Sequence, residues 1–153
     1  MKRNDPGCEL SRCGLRNTRP RAMVLDILEK SPTPLSAEQI YLALRARGVS
    51  VNLSTVYRVL EALVDKSLAG KVNIPGDPRA FFEYSRASHR HYLICLGCRE
   101  MRALERCPLA GYEKALADET DYAISGHKLV VYGYCPACRE RGAKREQDAP
   151  HAH

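Results

Sequence analysis

The stretch SHRHYLICLGC, residues 88–98, sets the question on which the fold turns. Two histidines stand two apart, a short apolar run follows, and Cys95 and Cys98 bracket two residues. After 36 further residues a second pair, Cys135 and Cys138, repeats the pattern in YGYCPAC. Each pair places two thiols on a tight turn after a strand-like segment, and two such turns can close a tetrahedral Zn²⁺ shell. The separation exceeds that of a short zinc ribbon but accommodates a complete strand–helix–strand excursion. A redox CxxC would open a helix after a βαβ pattern, and neither pair reads that way. Structural zinc held by Cys95, Cys98, Cys135 and Cys138 is therefore expected, with two idle reduced pairs as the alternative. Cys8, Cys13 and Cys107 stand outside the pairs.

The 153 residues, 44% hydrophobic and 27% charged, fit a soluble chain of one domain or two small ones. No run approaches the ~18 apolar residues of a membrane span. The N-terminal MKRNDPGCELSRCG lacks the apolar core of a secretory signal, so a cytoplasmic location without a membrane partner is expected. Seven cysteines, an odd number, argue there against a full disulfide set. The formal charge is +6, unevenly spread. Residues 1–75 carry 12 Lys and Arg against 7 Asp and Glu, and residues 76–153 carry 12 against 11. A basic half joined to a near-neutral half suggests a polyanion-binding module followed by one with another task.

Residues 1–15 read as a flexible arm or a short helix. A first helix is expected over TRPRAMVLDILEK, capped by Thr18 with Pro20 in its first turn. SPTP, residues 31–34, ends it. A second helix starts at Ser36, where Gln39 three residues on completes a capping-box pattern. The third, NLSTVYRVLEALVDKS, is capped by Asn52 and carries an apolar stripe of Leu53, Val56, Leu60, Leu63 and Val64. AGKVNI and RAFFEYS then read as strands joined by the turn PGDP. Three short helices and a hairpin are the order of a winged helix-turn-helix, whose third helix enters the DNA major groove. The same order also builds plain structural domains. Ser54, Thr55 and Arg58 at the start of the third helix, flanked by Arg19, Arg21 and Lys71, favour the DNA reading.

Beyond residue 85 the pattern becomes strand-rich. HYLIC and EMRALE read as strands, CPLAGYEKALADE as a helix beginning near Pro108, and DYAISGHKLVVYGYC as one or two further strands. Both faces of KLVVYGY are apolar, and a second subunit would cover the face that the helix does not. The expected class is thus α+β: a winged-helix domain with its hinge over residues 16–85, a smaller α/β dimerisation domain over 86–138, and a charged, disordered tail over 139–153. His89 and His91 project to one face of a strand. With Glu83 they form a mixed oxygen–nitrogen set suited to Zn, Fe or Mn, or else they are two exposed strand histidines.

STVYRVLEAL, FFEYSRASHRHYLICLGC and GHKLVVYGYCPAC together resemble the ferric uptake regulator family of metal-responsive repressors, over most of residues 15–138. The resemblance implies a homodimer on double-stranded operator DNA, with structural zinc at the four paired cysteines. It implies a regulatory Zn²⁺, Fe²⁺ or Mn²⁺ at the hinge, held by Glu83, His89 and His91, and DNA contacts from Tyr57 and Arg58. Several positions depart from the family pattern. Pro34 stands where a histidine is expected, Ala103 where an acid is, and Arg99 where a glycine usually follows the second cysteine. His127 matches a further family site whose other positions here are Ser88 and Arg90, which reads as a dismantled site and leaves His127 a structural role. Water, Glu105, Cys107, or Cys8 and Cys13 of the arm are candidates to complete the depleted hinge set. ERCPL and GHKLVVYGYCPAC look most like zinc-responsive members, and Glu83 like the iron and peroxide branches.

The expectation is a repressor, not an enzyme, in which metal ties the winged domain to the dimer domain and sets the spacing of two recognition helices. A hydrolytic metal centre is a rival, but no nucleophile motif, phosphate loop or second carboxylate pair accompanies HxH. A zinc-ribbon protein binding RNA is another. It would want exposed aromatics on a sheet, and the wing offers only Phe81, Phe82 and Tyr84.

Overall fold

The computed structural model describes residues 6–85 and 90–142, which form two compact units meeting between Ala87 and Ser88. In the first, α1 spans Pro6–Arg12, α2 Arg19–Lys30, α3 Ala37–Ala46 and α4 Leu53–Asp65. Strands β1 (Leu35–Ser36), β2 (Ala69–Asn73) and β3 (Ala80–Tyr84) make an antiparallel sheet in the order β1-β3-β2.

Local chemistry explains the helix starts. Ser36 accepts from the Gln39 backbone N–H at 3.3 Å while Gln39 Oε1 accepts from the Ser36 N–H at 2.8 Å, satisfying two otherwise unpaired donors. Asn52 Oδ1 accepts from the Thr55 N–H at 2.7 Å and caps α4. Thr18 occupies the N-cap position of α2, but its side chain makes no capping hydrogen bond; Pro20 in the first turn suits that end. Val24, Leu28, Ile40, Leu44, Val56, Leu60 and Leu63 bring the inner faces of α2, α3 and α4 into one buried core, to which Phe82 and Tyr84 add the sheet. The α1 segment of the expected arm is helical. Leu10 is fully buried, and the buried Glu9 carboxylate accepts from the Tyr84 hydroxyl at 2.9 and 3.0 Å, tying α1 to the end of β3.

The second unit has β4 (Tyr92–Cys95), β5 (Met101–Ala103), α5 (Tyr112–Thr120), β6 (Val130–Gly133) and α6 (Pro136–Glu140). The sheet order is β5-β4-β6, with β4 antiparallel to β5 and parallel to β6. Parallel neighbours need a crossover, and α5 lies within it. This helix begins four residues after Pro108, because Gly111 at φ 83° takes a left-handed conformation directly before Tyr112. Only Val130–Gly133 of the expected terminal strands is extended and paired. Part of the expected tail is helix α6, and Cys135 is its N-cap. The second CxxC therefore does open a short helix, contrary to the expectation. No helix among the described residues is long and apolar enough to cross a membrane.

The register of this sheet sorts the reactive side chains. Tyr92 pairs with Ala103 on β5 and with Val130 on β6. Residues just before β4, just after β5 and just before β6 therefore gather at one end of the sheet. Residues just after β4 and β6 gather at the other.

Candidate metal centres and nucleic-acid interface

At the far end of β4 and β6, the Sγ atoms of Cys95, Cys98, Cys135 and Cys138 all lie within 4.8 Å of one another. Cys98 and Cys135 are 3.8 Å apart. A tetrahedral shell with Zn–S bonds of about 2.3 Å has edges of about 3.8 Å, so the cluster has the size of a zinc site. The turn that delivers Cys98 is tightly specified: Leu96 N–H donates to Gly133 at 2.7 Å and Arg99 N–H to Cys95 at 2.9 Å. A Cβ on Gly97 would lie 2.8 Å from Cys138 Sγ, so any side chain there would push into the cluster.

The thiols behave as a set that calls for a cation. Burial pushes the Cys95 thiol up, but backbone N–H groups of Cys135, Cys98 and Gly97 outweigh it and bring the pKa to about 6. Cys138 is pushed to about 12 by burial and by the sulfurs of Cys135, Cys95 and Cys98. One thiolate forms readily and its neighbours then resist ionisation, whereas a divalent ion would stabilise all four as thiolates. The redox reading fails on this geometry: the sulfurs form one four-membered cluster, not two separate pairs.

Arg99 has φ 64°, in the left-handed region where glycine is favoured. The strain is about 1–2 kcal/mol, against roughly 0.4–1 kcal/mol of chain entropy lost with glycine in the unfolded state. Arg99→Gly should thus raise the stability of this unit by up to about 1 kcal/mol, measured as a higher denaturant midpoint; a lowered midpoint contradicts the strain.

The opposite end of the sheet holds a second cluster. His91 Nε2 lies 3.3 Å from Cys107 Sγ and 3.0 Å from His127 Nε2, and Cys107 Sγ lies 3.3 Å from His127 Nε2. The imidazole rings stack with centroids 4.8 Å apart, and His127 Nδ1 is 2.8 Å from the Glu113 carboxylate in the first turn of α5. His91 is 1% exposed. His127, read from the sequence as structural because Ser88 and Arg90 occupy its expected partner positions, stands instead with His91 and Cys107. Glu83 lies half-buried on β3 over Gly70, where no opposing side chain competes for space. His89 lies outside the described residues.

The first unit presents the start of α4. Ser54, Tyr57 and Arg58 are exposed and Thr55 is partly so, while Val56, Val59 and Leu60 face the core. Thr55 Oγ1 donates to Asn52 Oδ1 at 2.8 Å and accepts from Arg58 Nη2 at 3.3 Å, so one chain of hydrogen bonds runs from the cap to the guanidinium. Tyr57 donates to Glu38 on α3 at 3.0 Å. Arg19 is exposed at the start of α2, and Arg21 Nη1 donates to the Arg16 carbonyl at 3.1 Å.

A winged helix followed by an α/β unit built around clustered thiols and imidazoles defines a metal-dependent DNA-binding regulator, not an enzyme. The chain belongs to the ferric uptake regulator family, whose profile matches residues 12–132. It is 36% identical over 132 residues to the ferric uptake regulation protein of Legionella pneumophila, covering 86% of this chain and 96% of that one. To the Escherichia coli K12 protein of that description it is 30% identical over 139 residues, covering 89% and 93%. Among solved structures, the Vibrio cholerae ferric uptake regulator superposes with a TM-score of 0.72 at 31% identity, covering 86% of this chain and all of that one. The Pseudomonas aeruginosa regulator with manganese gives 0.74 at 28%, covering 86% and 98%.

Proposed function

We propose that the protein is a cytoplasmic repressor that binds an operator as a homodimer when a divalent ion occupies its regulatory site. The observation that carries this reading is the presented face of α4, where Ser54, Thr55, Tyr57 and Arg58 project from a helix whose other face is core. An N-terminal helix face of this kind reads base edges, and Arg19 and Arg21 add the salt-dependent attraction to phosphates. Leu93, Val131 and Tyr132 are each about two-fifths exposed on the sheet of the second unit, and a second copy is the occupant that symmetry supplies. The Cys95–Cys98–Cys135–Cys138 cluster fits a permanent zinc that holds this unit together. Of the relatives, the Pseudomonas aeruginosa structure carries manganese, which supports a divalent effector here.

Glu83, His89 and His91 flank the boundary between the two units, where an ion bound on both sides would restrict their motion and favour DNA-competent spacing. Replacing His89 and His91 together with Ala should abolish metal-dependent operator binding while the dimer persists in sedimentation. Unchanged metal dependence in that variant overturns the switch.

A further inference from the structure

We propose that His91, Cys107 and His127 hold a second ion of the zinc class, with Glu113 orienting His127, and that this site is built against iron and manganese. This rests on the regulator reading above and names the ligand set and metal of its switch.

Three atoms converge, Nε2 of each histidine and Sγ of Cys107, with separations of 3.0, 3.3 and 3.3 Å. In a tetrahedral zinc shell with bonds of about 2.0–2.3 Å, the corresponding edges are about 3.3–3.6 Å. The triangle needs to open by only a few tenths of an ångström to accept an ion. Its orientation is also supplied. The Glu113 carboxylate accepts from Nδ1 of His127 at 2.8 Å, which places the ring hydrogen on Nδ1 and turns the Nε2 lone pair toward His91 and Cys107. A carboxylate behind a ligating histidine is the support that metal sites use to fix the tautomer and raise ligand basicity. His91 is anchored by its own backbone, whose carbonyl accepts from the Leu104 N–H at 2.8 Å.

Alternatives leave something unexplained. Cys107, His127 and Glu113 alone are the order of an activated thiol nucleophile, but that role has no use for the buried imidazole of His91 at 3.3 Å from the sulfur. A hydrogen-bonded core cluster would need a hydrogen along each edge of the triangle. With Nδ1 of His127 donating to Glu113, the neutral ring has none left on Nε2.

The donor set selects the metal. One thiolate and two imidazoles, with the carboxylate kept in the outer shell, suit Zn²⁺ and its analogue Co²⁺; Mn²⁺ and Fe²⁺ prefer oxygen-rich sites. Three protein ligands leave a tetrahedral position for water, which suits an ion that exchanges, while the four-sulfur site at the other end of the sheet is closed. His91 stands four residues beyond Ala87, the last residue of the first unit, so an ion here fixes the chain as it leaves the link.

The test uses the full-length dimer carrying its four-sulfur zinc. Titration with Zn²⁺ and Co²⁺ should show one further equivalent per chain, with a thiolate-to-cobalt charge-transfer band for the Co²⁺ added. Cys107→Ser should lose that band and weaken the second equivalent by more than about 100-fold, with the first retained. Glu113→Gln, which disturbs no ligand, should weaken it about 10- to 100-fold. Mn²⁺ should not compete at equal concentration. The assignment is overturned if only one equivalent binds, if Cys107→Ser binds the second as wild type does, or if Mn²⁺ displaces Zn²⁺. Should Cys107→Ser fail to fold, an unchanged second equivalent in Glu113→Gln overturns it equally. The broader reading fails separately: two ions bound as described, with no effect on DNA affinity, would spare the site and refute the regulator.

Discussion

Replacing Cys138 with Ser is expected to strip the chelator-resistant zinc from the protein and unfold the second unit, leaving the winged helix standing. The asymmetry follows from where apolar surface is buried. The first unit packs α2, α3, α4 and its sheet around a continuous core. Among the described residues of the second, the buried apolar positions are Tyr92, Ile94, Cys95 and Cys138, and α5 buries none. So small a core does not hold an independent domain without a staple. A structural zinc supplies about 10–16 kcal/mol, as much as the whole stability of a typical domain. Cys138 is the most enclosed of the ligands together with Cys95, so serine there forfeits the ion. Metal analysis after dialysis against chelator, with thermal melting followed by circular dichroism, should show loss of that zinc and survival of one helical transition. Retained zinc with an unchanged melt contradicts the staple.

Arg58→Ala is expected to lower operator affinity about 5- to 150-fold, the range of one base-reading arginine at ~1–3 kcal/mol, with zinc content and dimer unaffected. Arg58 is well placed for such a role because Thr55 and Asn52 hold its guanidinium before DNA arrives, which reduces the ordering required on binding. Competition with unrelated duplexes separates two outcomes. Base readout predicts that the loss is concentrated on the operator; a phosphate contact predicts equal weakening on all sequences and a shallower salt dependence. Undiminished operator affinity contradicts α4 as the reader.

Features governed by neighbours in the chain were legible in the sequence. The Ser36–Gln39 box, the Asn52 cap, the apolar faces of α2 to α4 and the two-strand wing all depend on residues within a turn or two. The four-sulfur cluster was legible because paired CxxC motifs admit few other uses. What depends on distant packing was not. Helix α1 is too short to announce itself and is fixed by Leu10 and the Glu9–Tyr84 hydrogen bond across 75 residues. Helix α6 was hidden in a charged tail. The His91–Cys107–His127 cluster follows from strand order: once β6 lies parallel to β4 and β5 antiparallel, three ligands scattered over 37 residues share one end of the sheet. Matching His127 to Ser88 and Arg90 by position obscured this, although a cysteine before α5 and a histidine before β6 are the signal that topology would have made readable.

The measurement that bears most directly on the account is a DNA-binding titration of the wild-type dimer, its structural zinc in place, on a duplex selected from a random pool. Run with and without added Zn²⁺ at fixed salt, it should show at least about tenfold tighter binding with the ion, the lower end of a typical coupling free energy. Equal affinity in both arms would contradict a metal-operated repressor.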